Sequence, residues 1–102
     1  MRHFKAEFFK MLAHSTRIRI LDALRDGPLT VTEIQTLLAL EQPNVSQHLA
    51  VLRGGGFLLS SREGNATKYR IPDTAIFNLL DIAREIYDRQ LLTTRALFDA
   101  TR

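Results

Sequence analysis

Gln42-Pro43-Asn44-Val45-Ser46-Gln47-His48-Leu49-Ala50-Val51-Leu52-Arg53 reads as a helix with two unlike faces. Pro43 fits the first helical position, where its missing N–H would have no partner, and leaves Gln42 as a mediocre cap. Val45, Leu49 and Leu52 recur at helical spacing and form an inward stripe, with Ala50 as small packing. Asn44, Ser46, Gln47 and His48 are left to face outward. The stretch ends on Arg53, and Gly54-Gly55-Gly56 stops it. Three consecutive glycines are entropically costly, which points to a tight turn.

The flanking segments place this helix in an order. Upstream, Thr32 followed by Gln35 is a capping-box pattern. Ile34, Leu37 and Leu38 supply one apolar face of a short helix, and Ala39-Leu40-Glu41 forms the turn between the two. Downstream, residues 57–62 read as a strand and Glu63-Gly64-Asn65-Ala66 as a hairpin turn. Thr67, Tyr69 and Ile71 then alternate with Lys68 and Arg70, as a half-buried strand does, and Pro72 ends the strand.

Nearer the N-terminus, Phe4, Phe8, Met11 and Leu12 have helical spacing, with Phe9 widening the face. Ala13-His14-Ser15 breaks that helix, with His14 as a capping or surface residue. Ser15 or Thr16 caps the next helix, whose face is Ile18, Ile20, Leu21 and Leu24 and whose end is Gly27-Pro28. Asp73 caps a last helix in which Ile76, Leu80, Ala83, Tyr87, Leu91, Thr94 and Phe98 lie on adjoining turns, widened by Leu79, Ile86 and Leu97. It spans roughly 24 residues, or about 36 Å. A domain this small cannot cover such a stripe, and a partner helix is the simplest solution.

The expected fold is mainly α: a winged helix-turn-helix with a two-stranded β-hairpin wing and additional N- and C-terminal dimerisation helices. The expected organisation is one domain over residues 1–102. Within it the helix-turn-helix occupies about 32–54, the wing about 57–71, and the dimerisation helices about 3–12 and 74–98.

The bulk properties bound this picture. At 102 residues the chain suits one domain with a modest core, which pairing with a second copy would extend. A formal charge of +3 is a mild basic bias, compatible with nucleic acid but weak evidence by itself. With no cysteine, disulfides, zinc–thiolate sites and thiol chemistry are excluded. No apolar run approaches the roughly 20 residues that span a bilayer. Met1-Arg2-His3-Phe4-Lys5 is not a signal peptide. A soluble cytoplasmic protein without membrane contact is expected.

In a helix-turn-helix the second helix enters the major groove of DNA. Amide side chains match adenine bidentately there, and Asn44 and Gln47, three residues apart, share a face. Ser46 and His48 add contacts to base or phosphate. Gln42 lies at the helix start, where free N–H groups favour phosphate, and Arg53 reaches backbone near its end. On the wing, Arg62, Asn65, Lys68 and, at its base, Arg70 suit phosphate or the minor groove. Residues 42–70 hold four Lys/Arg and one acidic residue, more basic than the chain average. The plain alternative is a solvated polar helix face and an ordinary charged hairpin tip.

Leu12-Ala13-His14-Ser15-Thr16-Arg17-Ile18-Arg19-Ile20-Leu21 resembles the opening motif of the ArsR/SmtB-type transcriptional repressors, usually Leu-x-x-Pro-x-Arg-x-x-Ile-Leu. Residues 45–53 resemble that family's recognition helix, and Arg62-Glu63-Gly64 with Tyr69-Arg70-Ile71 resembles its wing. The likeness runs from about Phe4 into the last helix. It implies a homodimeric repressor bound to double-stranded operator DNA at an imperfect palindrome. Ser46, Gln47 and His48 would face the DNA. The dimer would form through the first and last helices, with Phe4, Phe8, Leu80, Ala83, Tyr87, Leu91 and Phe98 at its interface.

The chain departs from the family at the sensor. Ile34, Gln35 and Thr36 stand where a cysteine pair is common. The last helix has Asp81, Glu85 and Asp88 but no histidine, and these three read as a solvated, partly salt-bridged face. His3 and Glu7, at i,i+4, are weak candidates for a divalent metal. No metal site or cofactor is assigned. An unidentified metal or small-molecule effector is left open, including a pocket near the dimer interface lined by Phe8, Phe9, Tyr87 or Phe98. Nothing resembles an enzyme: adjacent His14 and Ser15 do not make a triad. The competing readings are a nonspecific architectural DNA-binding protein, a metal-responsive repressor using His3 and carboxylates, and an adaptor that reuses the fold.

Overall fold

The computed structural model describes residues 2–100, and side chains from residue 4 onward. Its elements are α1 (Arg2–Leu12), α2 (Ser15–Ala23), β1 (Leu29–Thr30), α3 (Val31–Leu38), α4 (Gln42–Gly54), β2 (Leu59–Glu63), β3 (Ala66–Arg70) and α5 (Ala75–Ala100). The inward stripe of α4 is the centre of the core: Val45, Leu49 and Leu52 are buried against Ile20, Leu21 and Leu24 of the α2 region, Ile34 of α3, Leu58, Leu12 and Ile76. This is the winged helix-turn-helix expected from the order of elements.

Several local expectations shift. The N-cap of α2 is His14, whose Nδ1 accepts the Thr16 N–H at 3.2 Å, in place of Ser15 or Thr16. α2 ends at Ala23 with Leu24 as its C-cap, ahead of Gly27-Pro28. Beyond Gly27-Pro28, Leu29–Thr30 form β1, which pairs antiparallel with β3 (Leu29 opposite Tyr69, Thr30 opposite Lys68). The sheet is therefore three-stranded, ordered β1-β3-β2, and β3 is central. This explains why β3 lacks clean alternation: Lys68, expected to face out, is half-buried like Thr67 and Tyr69.

α3 carries a capping box two residues earlier than Thr32 and Gln35. The Glu33 N–H donates to Thr30 Oγ1 at 3.1 Å, and the Thr30 N–H donates to Glu33 Oε1 at 3.0 Å. Both tetrads fit the pattern, but a carboxylate at a helix N-terminus gains from the dipole where an amide does not. The Thr30 N–H holds the Glu33 carboxyl below its ordinary range. Ile34 is fully buried while Leu37 is 63% exposed, so the apolar face of α3 is narrower than expected. Ala39 closes α3 at φ 55°, a left-handed conformation that costs a non-glycine residue about 1–2 kcal/mol.

In α4 the boundary moves by one residue. Glu41 is the N-cap, without a side-chain bond, and Pro43 lies in the first turn after Gln42. Ala50 faces solvent and is not packing. Of the three glycines, Gly54 is helical and two answer to specific demands. Gly56 has φ +83°, and a Cβ on Gly55 would collide with the Met11 sulfur and crowd Phe57. That close approach lets α1 lie over the end of α4, where Phe8 meets Phe57 at 5.1 Å.

β2 and β3 form the wing, with Glu63 opposite Ala66 across the Gly64-Asn65 turn. Asp73 Oδ1 accepts the Ala75 N–H at 3.0 Å and starts α5 as anticipated. This 26-residue helix, about 39 Å long, gives the molecule its 61 Å long dimension. Only its first turns touch the body: Ile76 is buried and Phe77, Leu79 and Leu80 pack on the core.

Candidate nucleic-acid interface

The face of α4 opposite Val45, Leu49 and Leu52 consists of Gln42, Pro43, Asn44, Gln47, Ala50 and Arg53, all exposed, with Ser46 half-buried. Gln42 Nε2 donates to Ser46 Oγ at 2.8 Å, which steadies both side chains at the start of the helix. Among the described residues Asn44 and Gln47 have no hydrogen-bond partner for their side chains, and both are exposed to solvent. Ala50 is a low point in this surface. It is not the inward packing residue expected, because its five-residue distance from Val45 sets it on the far side of a helix of 3.6 residues per turn.

His48 departs from the outward orientation expected of it. It is 7% exposed, the one buried polar side chain among the described residues. The Arg17 Nε–H donates to its Nδ1 at 3.2 Å, and its ring lies 4.2 Å from that of His14. Arg17 also donates from Nη1 to the Met11 carbonyl at 3.0 Å, so one guanidinium links the end of α1 to α4. Because Nδ1 accepts, the neutral ring carries its proton on Nε2. Among the described residues no buried side-chain nitrogen or oxygen lacks a partner. Nε2–H, which has none in the protein, therefore reaches solvent.

Burial, then the neighbouring His14 and Arg17, lowers the His48 pKa below its ordinary value. The unfolded chain thus takes up this proton first as pH falls. The contribution of neutral His48 is fully present above about pH 6.5 and is lost as pH drops from there to the folded pKa. Urea unfolding between pH 5 and 7.5 is expected to show stability rising with pH more steeply in the parent than in His48→Gln. Equal slopes would mean that His48 is not the group responsible.

On the wing, Arg62 and Asn65 are exposed, as is Arg70 at its base. Lys68 is bridged to Glu63 at 3.4 Å, so part of its charge is answered within the hairpin. Arg53, Arg62 and Arg70 make no ion pair among the described residues. Arg70 lines a hollow with Leu24, Arg25 and Phe77, away from the hairpin tip that carries Arg62 and Asn65.

A different surface runs along α1 and α5. Phe4, Tyr87, Leu91 and Phe98 are each more than half exposed. Ala83 is exposed, and Phe8 and Leu80 are half-buried. A groove of about 330 Å³ between α1, α2 and α5 is lined by Phe9, Leu12, Ala13, Ile18, Leu79, Leu80 and Ala83. Of the four aromatic residues suggested for a pocket, only Phe9 lines this groove.

Among the described residues no three His, Asp or Glu side chains gather as metal ligands. The His3 side chain lies outside the described residues, and Glu7 is exposed. Asp81 is bound to Arg25 at 2.7 Å and Asp88 to Arg84 at 3.2 Å. No described helix is long and apolar enough to cross a membrane.

A helix-turn-helix domain model matches residues 12–60, which include α2 through α4 and the start of the wing. The chain is similar to the uncharacterized HTH-type transcriptional regulator Rv0081 of Mycobacterium tuberculosis. The two are 42% identical over 99 residues, covering 96% of this chain and 87% of that protein. The crystal structure of Rv0081 superposes with a TM-score of 0.82 over 93% of this chain and 95% of that one. The arsenic resistance transcriptional regulator ArsR1 of Pseudomonas putida is 45% identical over 64 residues, 62% of this chain and 50% of its own.

The chain belongs to the ArsR/SmtB family of helix-turn-helix transcriptional regulators. This ArsR-family regulator is also similar in fold to the homodimeric winged helix-turn-helix DNA-binding domain of Mb0332 from Mycobacterium bovis. That solution structure is 30% identical, with a TM-score of 0.76 over 87% of this chain and 82% of that one. Regulators of this kind are not enzymes. What sequence reading of the regulator missed is the Arg17–His48–His14 contact. Its trace in the sequence is that Val45, His48, Leu49 and Leu52 fall at i, i+3, i+4 and i+7, one buried stripe.

Proposed function

We propose that this regulator is a homodimeric repressor that reads a palindromic operator through α4 and braces on the flanking backbone with its wing. The observation that carries this reading is the two-sidedness of α4. One face is sealed in the core. The other presents the Asn44 and Gln47 amides, unpartnered and exposed, in the form that matches adenine edges. Ala50 between Gln47 and Arg53 allows close approach and suits a thymine methyl. Gln42 and Ser46, bonded to each other, meet backbone at the helix start. Arg53, Arg62, Asn65 and Lys68 contact phosphate. His48 takes a narrower part than the sequence implied: it offers a phosphate oxygen only its Nε2–H.

The homodimer is supported by the exposed apolar rows of α1 and α5, which one chain cannot cover, and by the homodimeric state of the similar Mb0332 domain. Phe4, Phe8, Leu80, Ala83, Tyr87, Leu91 and Phe98 form that interface. The single-domain division into helix-turn-helix, wing and two flanking helices belongs to the same reading.

The test is selection of a binding site from random duplexes, followed by affinity across a salt series. Two subunits with Arg53, Arg62 and Lys68 at phosphates give about six charged contacts. Affinity should then fall about a thousandfold between 50 and 200 mM salt. The selected site should bind at least a thousandfold tighter than a scrambled duplex at matched salt. Equal affinity for both would replace this reading with nonspecific architectural binding.

A further inference from the structure

Arg25 sits where α5 leaves the body of the molecule. Its Nη2 and Nη1 donate to the two carboxylate oxygens of Asp81 at 2.7 and 3.3 Å. Its Nε donates to Asp22 on α2 at 2.9 Å, and its guanidinium lies 4.9 Å above the Phe77 ring. One residue just past α2 thus holds α5 by a two-point carboxylate grip and a ring face, with Asp22 fixing the rotation of the fork. A forked donor on a carboxylate sets direction as well as distance. Every residue of α5 from Asp81 onward is exposed. Beyond the clamp the helix continues for about 28 Å, and a 10° change of angle at Asp81 moves its far end by about 5 Å.

We propose that Arg25 is a positioning residue that sets the separation of the two DNA-reading helices, and so the operator half-site spacing the regulator accepts. This rests on the homodimer reading above. If two copies join through α1 and α5, the angle between α5 and the body fixes where each α4 lies, and the error at one clamp is repeated by symmetry at the other. Two half-sites must be met at a fixed separation near one helical turn of DNA, about 34 Å. The alternative tether is apolar packing of Ile76, Phe77, Leu79 and Leu80, which holds α5 near the body but is non-directional. An exposed ion pair adds little to stability, so loss of the clamp should change spacing preference without unfolding the chain.

The experiment uses the full chain and the duplex recovered by selection, with versions whose half-sites are moved one base pair closer or farther apart. The parent should prefer the selected spacing by about tenfold or more. Arg25→Ala and Asp81→Asn should each reduce that preference to within about threefold, with the dimer and the helical content retained. The exchanged pair Arg25→Asp with Asp81→Arg should recover most of it. Unchanged spacing preference in folded, dimeric Arg25→Ala and Asp81→Asn overturns the proposal. If Arg25→Ala does not fold, Asp81→Asn alone decides, since it leaves Arg25 paired with Asp22. A parent that is monomeric, or that binds scrambled DNA as well as the selected site, overturns the functional reading itself, and the clamp with it. A parent that passes while its variants behave identically overturns the clamp alone.

Discussion

Gln47→Ala is expected to remove most of the specific binding and almost none of the stability. Gln47 is exposed on the outer face of α4 and makes no bond whose loss would leave a buried partner. Substitution to Ala, the best helix former, costs the helix nothing. A bidentate amide–adenine contact discriminates by about 1–3 kcal/mol. A symmetric dimer makes it twice, so the loss is about 2–6 kcal/mol, or roughly thirtyfold to more than ten-thousandfold in affinity. Binding to scrambled duplex and the salt slope should stay as they were, because no phosphate contact is touched. Paired titrations of selected and scrambled duplexes measure this. A variant that loses affinity equally on both would show that Gln47 serves the backbone and not the bases.

Leu49→Ala, two residues along the same helix, should do the reverse. Leu49 is 1% exposed and packs among Ile20, Leu21, Ile34 and Leu52. Truncation removes buried methyls and leaves a cavity that a tightly packed core only partly closes, at a cost of about 2–5 kcal/mol. A domain of this size has about 5–15 kcal/mol in total, so the variant should be near its threshold at ambient temperature. Urea unfolding should show the midpoint falling sharply with an unchanged slope. Whatever fraction stays folded should bind the selected duplex with the parent's specificity. A loss below 1 kcal/mol would contradict the placement of Leu49 at the centre of the core. The pair of outcomes separates the two faces of α4 more directly than either alone.

The contrast also shows which kind of information the chain carries on its surface. The helix order, the stripe Val45–Leu49–Leu52, the Asp73 cap and the Gly64-Asn65 turn were legible because each depends on residues within a few positions of one another. Family motifs in residues 12–21 and 45–53 added the identity of the fold. The capping box went to Thr30 and Glu33 and not to Thr32 and Gln35, although both read alike. Thr30 is already fixed by its strand pairing with Lys68, a contact no local pattern contains. Spacing puts Leu37 on the apolar face with Ile34 and Leu38, yet it is exposed, because in this short helix Val31, Ile34 and Leu38 are the residues that reach the core.

The sequence by itself determined that α4 has a buried and a polar face, that a hairpin follows, and that a long apolar helix needs a partner. All three are periodicities, and periodicity is a property of the chain. Tertiary structure alone decided what is done with side chains that have two chemical characters. His48 falls on the buried stripe by its spacing, but what answers its Nδ1 there is Arg17, 31 residues away. Arg25 could sit in solvent, and Asp81, 56 residues away, made it the clamp on α5. A polar side chain's role follows from which partner comes within hydrogen-bonding distance, and that distance exists only after the core has brought the helices together.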